Sequence, residues 1–402
     1  MANALDSSNF SASTTDIWKA RVEKELKDKS FNDFLIWNSL DGFEIEAWQN
    51  MPPTIQCQLP PLNSPWLLMS LISEQDAQTA NKSALMELMT GSQSIWFTKS
   101  FQGAAVAVIT NGIDQSVAPV FIAGNTICDP YHTLLKTGQI SKKDFAHKMV
   151  LFDGNRLRER GCNIVQEIAL LISQAIEWSS INGFDSEIYF KVANGSGYLS
   201  EISKIRALRW LWTSILKREN SRVINPKIIA ANLNIGYSKS DEHTNILRAT
   251  TAAMSAISGG SQYIMIQPWD QEWKERNEFS SRISRNIHNL LKDESHMAAN
   301  LNPADGSYFI ENLTTAIAEK AWTIIQNIEV KGGFTNYATS GGLKNDIVQS
   351  RNQLTEAFAS GSKVLLNVNK YKSEDQAAEV NPNKYSYQLL PNYLHLPTEI
   401  NQ

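Results

Sequence analysis

The sequence has few cysteines, and none stands in a pattern that suggests a disulfide or a metal site. Its 402 residues include three cysteines, Cys57, Cys128 and Cys162, and no two of them form a Cys-x-x-Cys pair. Sparse, scattered thiols are typical of proteins kept in a reducing compartment. We therefore expect three reduced, partly buried thiols in a cytoplasmic protein.

The chain also lacks a long apolar run and a surplus of basic residues. No stretch approaches the ~20 consecutive apolar residues that a membrane-spanning helix needs. Residues 1–15 are polar and rich in serine, which argues against a secretory or transit peptide. Because the formal net charge is -4, few cations are left for phosphate contacts, and nucleic acid is not an expected partner.

Several catalytic signatures are missing as well. No Gly-x-Ser-x-Gly elbow occurs, and the nearest string is Gly195-Ser196-Gly197. The six histidines are scattered without metal-ligand spacing. The first apolar run, at residues 66–72, is followed by SEQDAQ, without the glycines of a phosphate-binding turn. These absences argue against a serine hydrolase, a zinc enzyme and a dinucleotide-binding sheet.

What is present is an alternation of short apolar runs and helical stretches. The runs, which predict buried strands, lie at residues 66–72, 94–98, 104–110, 117–123, 149–152, 187–193, 227–232 and 262–267, with a weaker one near 297–301. Helical periodicity marks residues 74–89, 165–178, 198–217, 241–257, 277–292 and 310–330. Alternating strands and helices predict a parallel sheet, and about eight units predict an α/β fold of the (β/α)8 TIM-barrel type.

Polar segments flank the predicted barrel. A helix is predicted to start at Asp16, and the proline-rich residues 39–65 predict an extended arm. Residues 375–402 are polar, contain three prolines and predict a peripheral tail. The predicted division is an N-terminal helix and arm at 1–65, a barrel at 66–375 and a polar C-terminal tail at 376–402.

Several strings, in their order and spacing, resemble the methylmalonyl-CoA mutase family. They are NTICDPYHTLLKTGQ at 125–139, ISKIRALRWLW at 202–212, FSSRISRNIHNLLKDES at 279–295, NPADGSYFIENLT at 302–314, AEKAW at 318–322, IEVKGG at 328–333 and VLLNVNKY at 364–371. The resemblance covers residues 16–375. It implies a (β/α)8 barrel that, in catalytic members, is threaded along its axis by the pantetheine arm of coenzyme A and joined to a C-terminal cobalamin-binding domain.

This sequence departs from the cobalamin motif that the resemblance implies. The family's cobalt ligand is the histidine of Asp-x-His-x-x-Gly, and the nearest string, Asp241-Glu242-His243, has Ile246 in place of the glycine. We predict that His243 is a surface residue at a helix start. Since residues 372–402 are too few for another domain, we expect no C-terminal cobalamin-binding domain and no cobalamin bound by this chain.

The substrate contacts implied by the resemblance are also replaced. An Arg and a Tyr on the first strand correspond to Met69 and Leu71, and the catalytic histidine corresponds to Arg156 in GNRLRERG at 154–161. IIAANLN at 228–234 and IMIQ at 264–267 stand where polar series are expected. We assign no catalytic, cofactor-binding or metal-ligating residue. The side chains predicted to fill the barrel axis are Met69, Leu71, Ile229, Met265 and Ile266.

Three groups of arginines stand out, and the first two have two interpretations each. Arg156, Arg158 and Arg160 could form an anion site for a coenzyme A phosphate, but a solvated loop or contacts with a partner subunit are favoured. Arg206 and Arg209, beside Trp210 and Trp212, are assigned to packing within the chain rather than to an interface. Arg282 and Arg285 are predicted to form structural ion pairs.

The leading hypothesis is a non-catalytic small subunit that serves as scaffold or stabilising partner. It would form a heterodimer with a homologous large catalytic mutase subunit, which would hold adenosylcobalamin. The arm at 41–65 would contribute to the interface through Phe43, Ile45, Trp48, Met51 and Ile55. Two alternatives stay open: a catalytic acyl-CoA mutase barrel that uses a separate cobalamin-binding subunit, and a homodimer with an unknown small-molecule site.

Overall fold

The computed structural model describes residues 14–49, 57–139, 149–274, 277–372, 390–394 and 396. Its centre is a sheet of β3 (Leu67–Ile72), β4 (Ser94–Phe97), β5 (Val120–Ile122), β6 (Met149–Asp153), β7 (Glu187–Asn194), β8 (Lys227–Asn232) and β9 (Tyr263–Met265). The seven strands follow the order β5-β4-β3-β9-β8-β7-β6. All neighbouring strands of this sheet pair in parallel, as the alternation of strands and helices predicts.

A two-residue bridge joins the two edges of this curled sheet. Ala123, which follows β5, pairs with Ile127, and Cys128 pairs with Val150 of β6. The amide of Leu151 donates to the carbonyl of Cys128 over 2.8 Å. The bridge occupies the ring position that a fourth strand takes in an eight-stranded barrel. The predicted (β/α)8-type barrel is therefore confirmed, with one strand reduced to Ile127 and Cys128.

Helices cover the outside of the ring. They are α3 (Ala77–Met89), α4 (Ala104–Ile109), α5 (His132–Thr137), α6 (Asn155–Arg158), α7 (Ile164–Asn182), α8 (Tyr198–Arg218), α9 (Thr244–Gly259), α10 (Glu278–Asn289), α11 (Tyr308–Val330), α12 (Gly333–Thr339) and α13 (Gly342–Ala359). The side chains of Asn163 and Gln166 form a capping box that starts α7. None of the described helices is both long and apolar enough to cross a membrane.

Two predicted strands are helical instead. The run at 104–110 forms α4, which begins after Gly103. Three alanines among its six residues explain the difference, because alanine favours helix more than any other residue. The weaker run near 297–301 contains a 3-10 turn at Met297–Ala299.

The N-terminal residues form a small packed unit, which we call the N-terminal unit (residues 14–49). Its elements are α1 (Thr15–Leu26), α2 (Phe31–Leu35), β1 (Ile36–Asn38) and β2 (Glu44–Glu46). The helix predicted at Asp16 is confirmed, but β1 and β2 pair antiparallel, so an extended arm is wrong for residues 39–49. The largest hydrophobic cluster, between the sheet and the outer helices, is called the main core. Phe43 and Ile45 alternate along the hairpin and are buried in this main core. Met51 and Ile55 lie outside the described residues.

Part of the predicted C-terminal tail is buried against the barrel. Leu390 packs in the main core, and Leu394 and Leu396 pack with Ile235 and Phe358. A peripheral position is therefore wrong for residues 390–394 and 396, because their leucines bury apolar surface against the barrel. The other residues of the predicted tail beyond 372 lie outside the described ones.

Candidate functional site: the barrel axis and its mouth

The interior of the barrel is filled by one cluster of side chains, which we call the axis cluster. Successive residues of a strand point to opposite faces, so every second residue faces the axis. The cluster takes at least one buried residue from each of the seven strands and one from the bridge. Its members are Met69, Trp96, Phe121, Ile127, Leu151, Tyr189, Ile229, Ala231, Tyr263 and Met265.

Four of the five side chains predicted to fill the axis do so. Met69, Ile229 and Met265 are buried members of the axis cluster, and Leu71 packs against it while partly buried. The prediction is wrong for Ile266, which belongs to the main core between sheet and helices. Since Met265 points towards the axis, the next residue, Ile266, points away from it.

Three aromatic rings meet at the centre of the axis cluster. The ring centroid of Phe121 lies 5.4 Å from that of Tyr189 and 5.5 Å from that of Tyr263, and the two tyrosine rings are 6.4 Å apart. The hydroxyl of Tyr189 donates to Glu187 Oε1 over 2.8 Å. Burial raises the pKa of Tyr263 to about 12, so its hydroxyl is neutral. We did not predict this triad, although inward alternation in the runs 117–123, 187–193 and 262–267 could have identified it.

The carboxyl ends of the strands, where TIM-barrel enzymes place their active sites, are occupied by ion pairs. Lys191 Nζ lies 3.2 Å from Asp153 Oδ2, and Arg156 Nη2 lies 3.5 Å from the same oxygen. Arg156 Nη2 also lies 2.5 Å from Asp129 Oδ2. Lys191 further stands 5.6 Å from the ring centroid of Trp96. We call Asp129, Asp153, Arg156 and Lys191 the mouth network.

The two carboxylates of the mouth network respond differently to burial. Burial raises the pKa of Asp129 to about 6, although Arg156 opposes this effect. Burial acts on Asp153 in the same direction, but Lys191 and Arg156 outweigh it and hold its pKa below the usual range. Asp153 is therefore the charged carboxylate with which both Lys191 and Arg156 pair. The cations at the mouth thus already have carboxylate partners within the chain.

The C-terminal residues 390–394 lie against this mouth. The amide of Leu394 donates to the carbonyl of Glu159 over 2.8 Å. The hydroxyl of buried Tyr393 donates to Glu272 Oε2 over 3.3 Å. Glu159 directly follows α6; burial raises its pKa, Lys191 of the mouth network opposes this effect and Asp153 adds to it. The segment therefore adds its own side chains to the carboxyl-end face of the barrel.

The arginine turn at 156–160 is buried, so the prediction of a solvated loop is wrong. Arg160 is fully buried, and its Nη1 donates to the carbonyl of Arg156 over 2.6 Å. Arg158 lies 3.5 Å from Glu201 and 3.6 Å from Glu167. These two carboxylates also pair with buried Lys204, at 2.5 and 2.9 Å. Arginine and lysine thereby neutralise two glutamates inside the core.

The other predicted arginine roles are mostly confirmed. Arg206 pairs with Glu311 over 2.6 Å and also with Asp305, so it serves packing within the chain. Arg209 is buried and donates to the carbonyl of Pro60 over 2.9 Å, and burial lowers its pKa to about 10.

Of the two arginines on α10, only one forms the predicted ion pair. Arg285 is paired with Glu87 at 2.9 Å and with Glu278 at 2.7 Å. Arg282 is exposed and lies 5.7 Å from the ring centroid of Phe279, which makes the ion-pair prediction wrong for this residue.

The remaining titratable groups form no metal site in the described part of the chain. There, no group of three or more His, Cys, Asp and Glu side chains could hold a metal ion. His243 is exposed at the start of α9, as predicted, with its ring 5.0 Å from that of Trp269. None of the three cysteines, all of which lie in the described part of the chain, forms a disulfide; Cys128 and Cys162 are buried, and burial raises the pKa of Cys57 to about 12.

Comparison with known proteins agrees with this architecture. The family model described as methylmalonyl-CoA mutase matches residues 102–392. The methylmalonyl-CoA mutase small subunit of Porphyromonas gingivalis is 25% identical over 92% of this chain and 72% of its own length. The mutases of Cereibacter sphaeroides and Rhizobium meliloti are each 28% identical, over 67% and 68% of this chain. The chain matches only 40% and 41% of the length of those two relatives. It belongs to the methylmalonyl-CoA mutase family.

Proposed function

We propose that this chain is a non-catalytic subunit of an adenosylcobalamin-dependent methylmalonyl-CoA mutase. It serves as scaffold or stabilising partner for a homologous large subunit, which interconverts methylmalonyl-CoA and succinyl-CoA in the cytoplasm. The observation that carries the proposal is the filled axis, where Phe121, Tyr189 and Tyr263 are in mutual ring contact. A barrel that admits the pantetheine arm of coenzyme A needs that space to be open.

The mouth network supports the same proposal. A mutase active site needs free polar groups for the substrate carboxylate and the thioester carbonyl. Arg156 stands where the resemblance implies a catalytic histidine, and it is paired with Asp129 and Asp153. Lys191 is likewise paired with Asp153. Breaking such buried pairs leaves uncompensated charges, so the network opposes substrate entry.

The described residues do not fit cobalamin. His243, the nearest counterpart of a cobalt ligand, is exposed at the start of α9 and does not belong to the mouth network. At the mouth itself, Tyr393 and Leu394 contact Glu272 and Glu159. The proposal therefore assigns adenosylcobalamin to the large subunit and none to this chain.

The N-terminal unit is the proposed docking surface for the large subunit. Three of its large apolar side chains are well exposed, Ile17 by 56%, Phe34 by 57% and Trp37 by 47%, and α1 contains no buried residue. These three side chains offer apolar surface that a partner would bury. The relative from Porphyromonas gingivalis is itself named a small subunit, which is consistent with a partner subunit.

Co-expression with a tagged large mutase subunit tests the proposal. The full chain is expected to co-purify, and a variant with Ile17, Phe34 and Trp37 changed to serine is expected to co-purify weakly. Met89→Ser is the matched control, because Met89 is 85% exposed on α3, away from the N-terminal unit. Deleting residues 1–60 is a poorer test, since it also removes buried Phe43 and Ile45.

Two outcomes of this experiment count against the proposal. Failure of the full chain to co-purify with any large mutase subunit would remove the partner role. An undiminished complex with the triple variant would move the interface to another surface, while the filled axis would still argue against catalysis.

A further inference from the structure

A cavity lies outside the axis cluster. It has a volume of about 150 Å³ and is lined by residues that follow β7 and β8, together with residues from α6, α9 and the segment after α13. Its wall includes Gly195, Ser196 and Gly197 of the loop that leads into α8. None of its lining residues belongs to the axis cluster or to the mouth network.

Three cations line this cavity, and two of them form no ion pair with a described residue. The ammonium group of Lys363, a partly buried residue, has no hydrogen-bond or ion-pair partner among the described residues, and burial lowers its pKa. Arg248 donates to Asn245 Oδ1 over 2.7 Å and to the carbonyl of Leu366 over 2.8 Å, but pairs with no described carboxylate. Arg158, in contrast, is paired with Glu167 and Glu201.

The two carboxylates of the wall are already engaged. Asp41 Oδ1 accepts from the amide of Ile164 over 3.0 Å, and Asp41 Oδ2 accepts from the hydroxyl of Ser39 over 2.7 Å. Glu201 pairs with Lys204 over 2.5 Å. Neither carboxylate reaches Lys363 or Arg248 at ion-pair distance, although the charge of Asp41 partly offsets the effect of burial on the pKa of Lys363. Both cations therefore keep donors for an anion.

The first turn of α8 adds hydrogen-bond donors to the same cavity. This helix has 21 residues, and its N-cap, Gly197, provides no side-chain cap. The first-turn amides of a helix point out of its N-terminus and, with the helix dipole, attract negative charge. Gly197 and Ser200 line the cavity together with Lys363, which places the N-terminus of α8 at its wall.

An unpartnered buried acceptor points independently to a ligand. Asn194 is 2% exposed and lines the cavity, and its Oδ1 accepts no hydrogen bond. Its Nδ2 donates to Ser255 Oγ over 3.0 Å, which fixes the orientation of the amide. A buried acceptor normally has a donor, and a hydroxyl or an N–H group of a bound molecule would supply one here.

We infer that this cavity binds the phosphate group of a small phosphorylated molecule that carries a hydroxyl. The phosphate oxygens accept from Lys363, Arg248 and the first-turn amides of α8, and the hydroxyl donates to Asn194 Oδ1. The inference does not depend on the proposed function, because no residue of the cavity takes part in closing the axis.

Isothermal titration calorimetry of the full chain with inorganic phosphate tests this inference. A monoprotonated phosphate ion supplies both the charge and one hydroxyl. We expect saturable binding at one site, weakened about tenfold or more by Lys363→Gln, because a charge-assisted hydrogen bond is lost. Asn194→Asp is expected to weaken binding at least as much, since it adds a negative charge to the wall. Lys344→Gln, on the exposed face of α13, is the matched control and is expected to bind like the unmodified chain.

Circular dichroism of each variant separates loss of binding from loss of fold. The ammonium group of Lys363 makes no hydrogen bond or ion pair with a described residue, so Lys363→Gln is expected to keep the fold. Absence of saturable binding by the unmodified chain would overturn the inference. Equal weakening by Lys363→Gln and Lys344→Gln would also overturn it, because it would show attraction of phosphate to general positive charge. A sugar phosphate that fails to displace inorganic phosphate from the site would contradict the binding of a phosphorylated organic molecule.

Discussion

The ring centroids of Phe121 and Tyr189 lie 5.4 Å apart, although β5 and β7 are not neighbours in the sheet. Side chains from strands that do not pair can touch only across the axis of the barrel. Both rings also contact Tyr263 from β9. The contact therefore shows that the axis is a packed core at this level, as in barrels whose interior is filled with side chains.

Truncating a residue of the axis cluster should destabilise the chain and create no activity. Met69 is 1% exposed, so Met69→Ala is expected to lower the free energy of unfolding by about 2–5 kcal/mol through lost burial and a residual cavity. Met89→Ala is the matched control, because Met89 is 85% exposed and its truncation should cost less than about 0.5 kcal/mol. Urea denaturation measures both changes. Equal effects of the two substitutions would mean that the axis is not tightly packed.

Replacing Arg156 with histidine should not restore catalysis. Arg156→His removes the guanidinium that pairs with Asp129 and Asp153, and breaking a buried pair costs about 3–5 kcal/mol. The exposed pair of Arg21 with Glu25 supplies a control, since Arg21→His should cost about 0–1 kcal/mol. Denaturation curves and a mutase assay are the measurements. A stable Arg156→His variant that isomerises methylmalonyl-CoA would contradict the structural role of the network.

His288 should make the stability of the barrel depend on pH. It is buried, with its ring 5.9 Å from that of Trp66. Burial, aided by Lys292, lowers its pKa from 6.5 to about 4. Between these values the unfolded chain binds a proton that the folded chain does not, so the free energy of unfolding falls as pH falls from 6.5 towards 4. The slope for one such group is at most about 1.4 kcal/mol per pH unit.

Comparison with His288→Gln isolates that contribution. Between about pH 7 and about pH 5, the unmodified chain should lose about 1–2 kcal/mol more stability than the variant. Urea denaturation at the two pH values measures the difference. Parallel losses in both proteins would show that His288 is already protonated in the folded state or exposed to solvent.

The sequence was sufficient to predict the barrel and much of its interior, because buried parallel strands give continuous apolar runs. Inward alternation then placed Met69, Ile229 and Met265 correctly, and it excludes Ile266 once Met265 is inside. The run at 104–110 was misassigned, because a short apolar stretch does not distinguish a strand from a buried helix. The fourth strand was missed because two residues, Ile127 and Cys128, are too few to form a run.

The mouth network could not be predicted, because it depends on contacts between residues far apart in the chain. Asp129 and Asp153 each look like an ordinary charged residue near a strand, and Lys191 like a single charged residue within one. Their proximity appears only when the carboxyl ends of the strands are brought together in the ring. The burial of Leu394 was missed because its short apolar stretch, LLPNYLHL at 389–396, lies in a mostly polar tail and its partners lie elsewhere in the chain.

The most direct test of the central claim is a mutase assay with adenosylcobalamin and methylmalonyl-CoA. The purified chain is measured alone, with a separate cobalamin-binding protein, and with a large mutase subunit. The filled axis predicts no succinyl-CoA from the chain alone or with the cobalamin-binding protein, and turnover only when the large subunit is present. Formation of succinyl-CoA by the chain together with a separate cobalamin-binding protein would contradict a non-catalytic role.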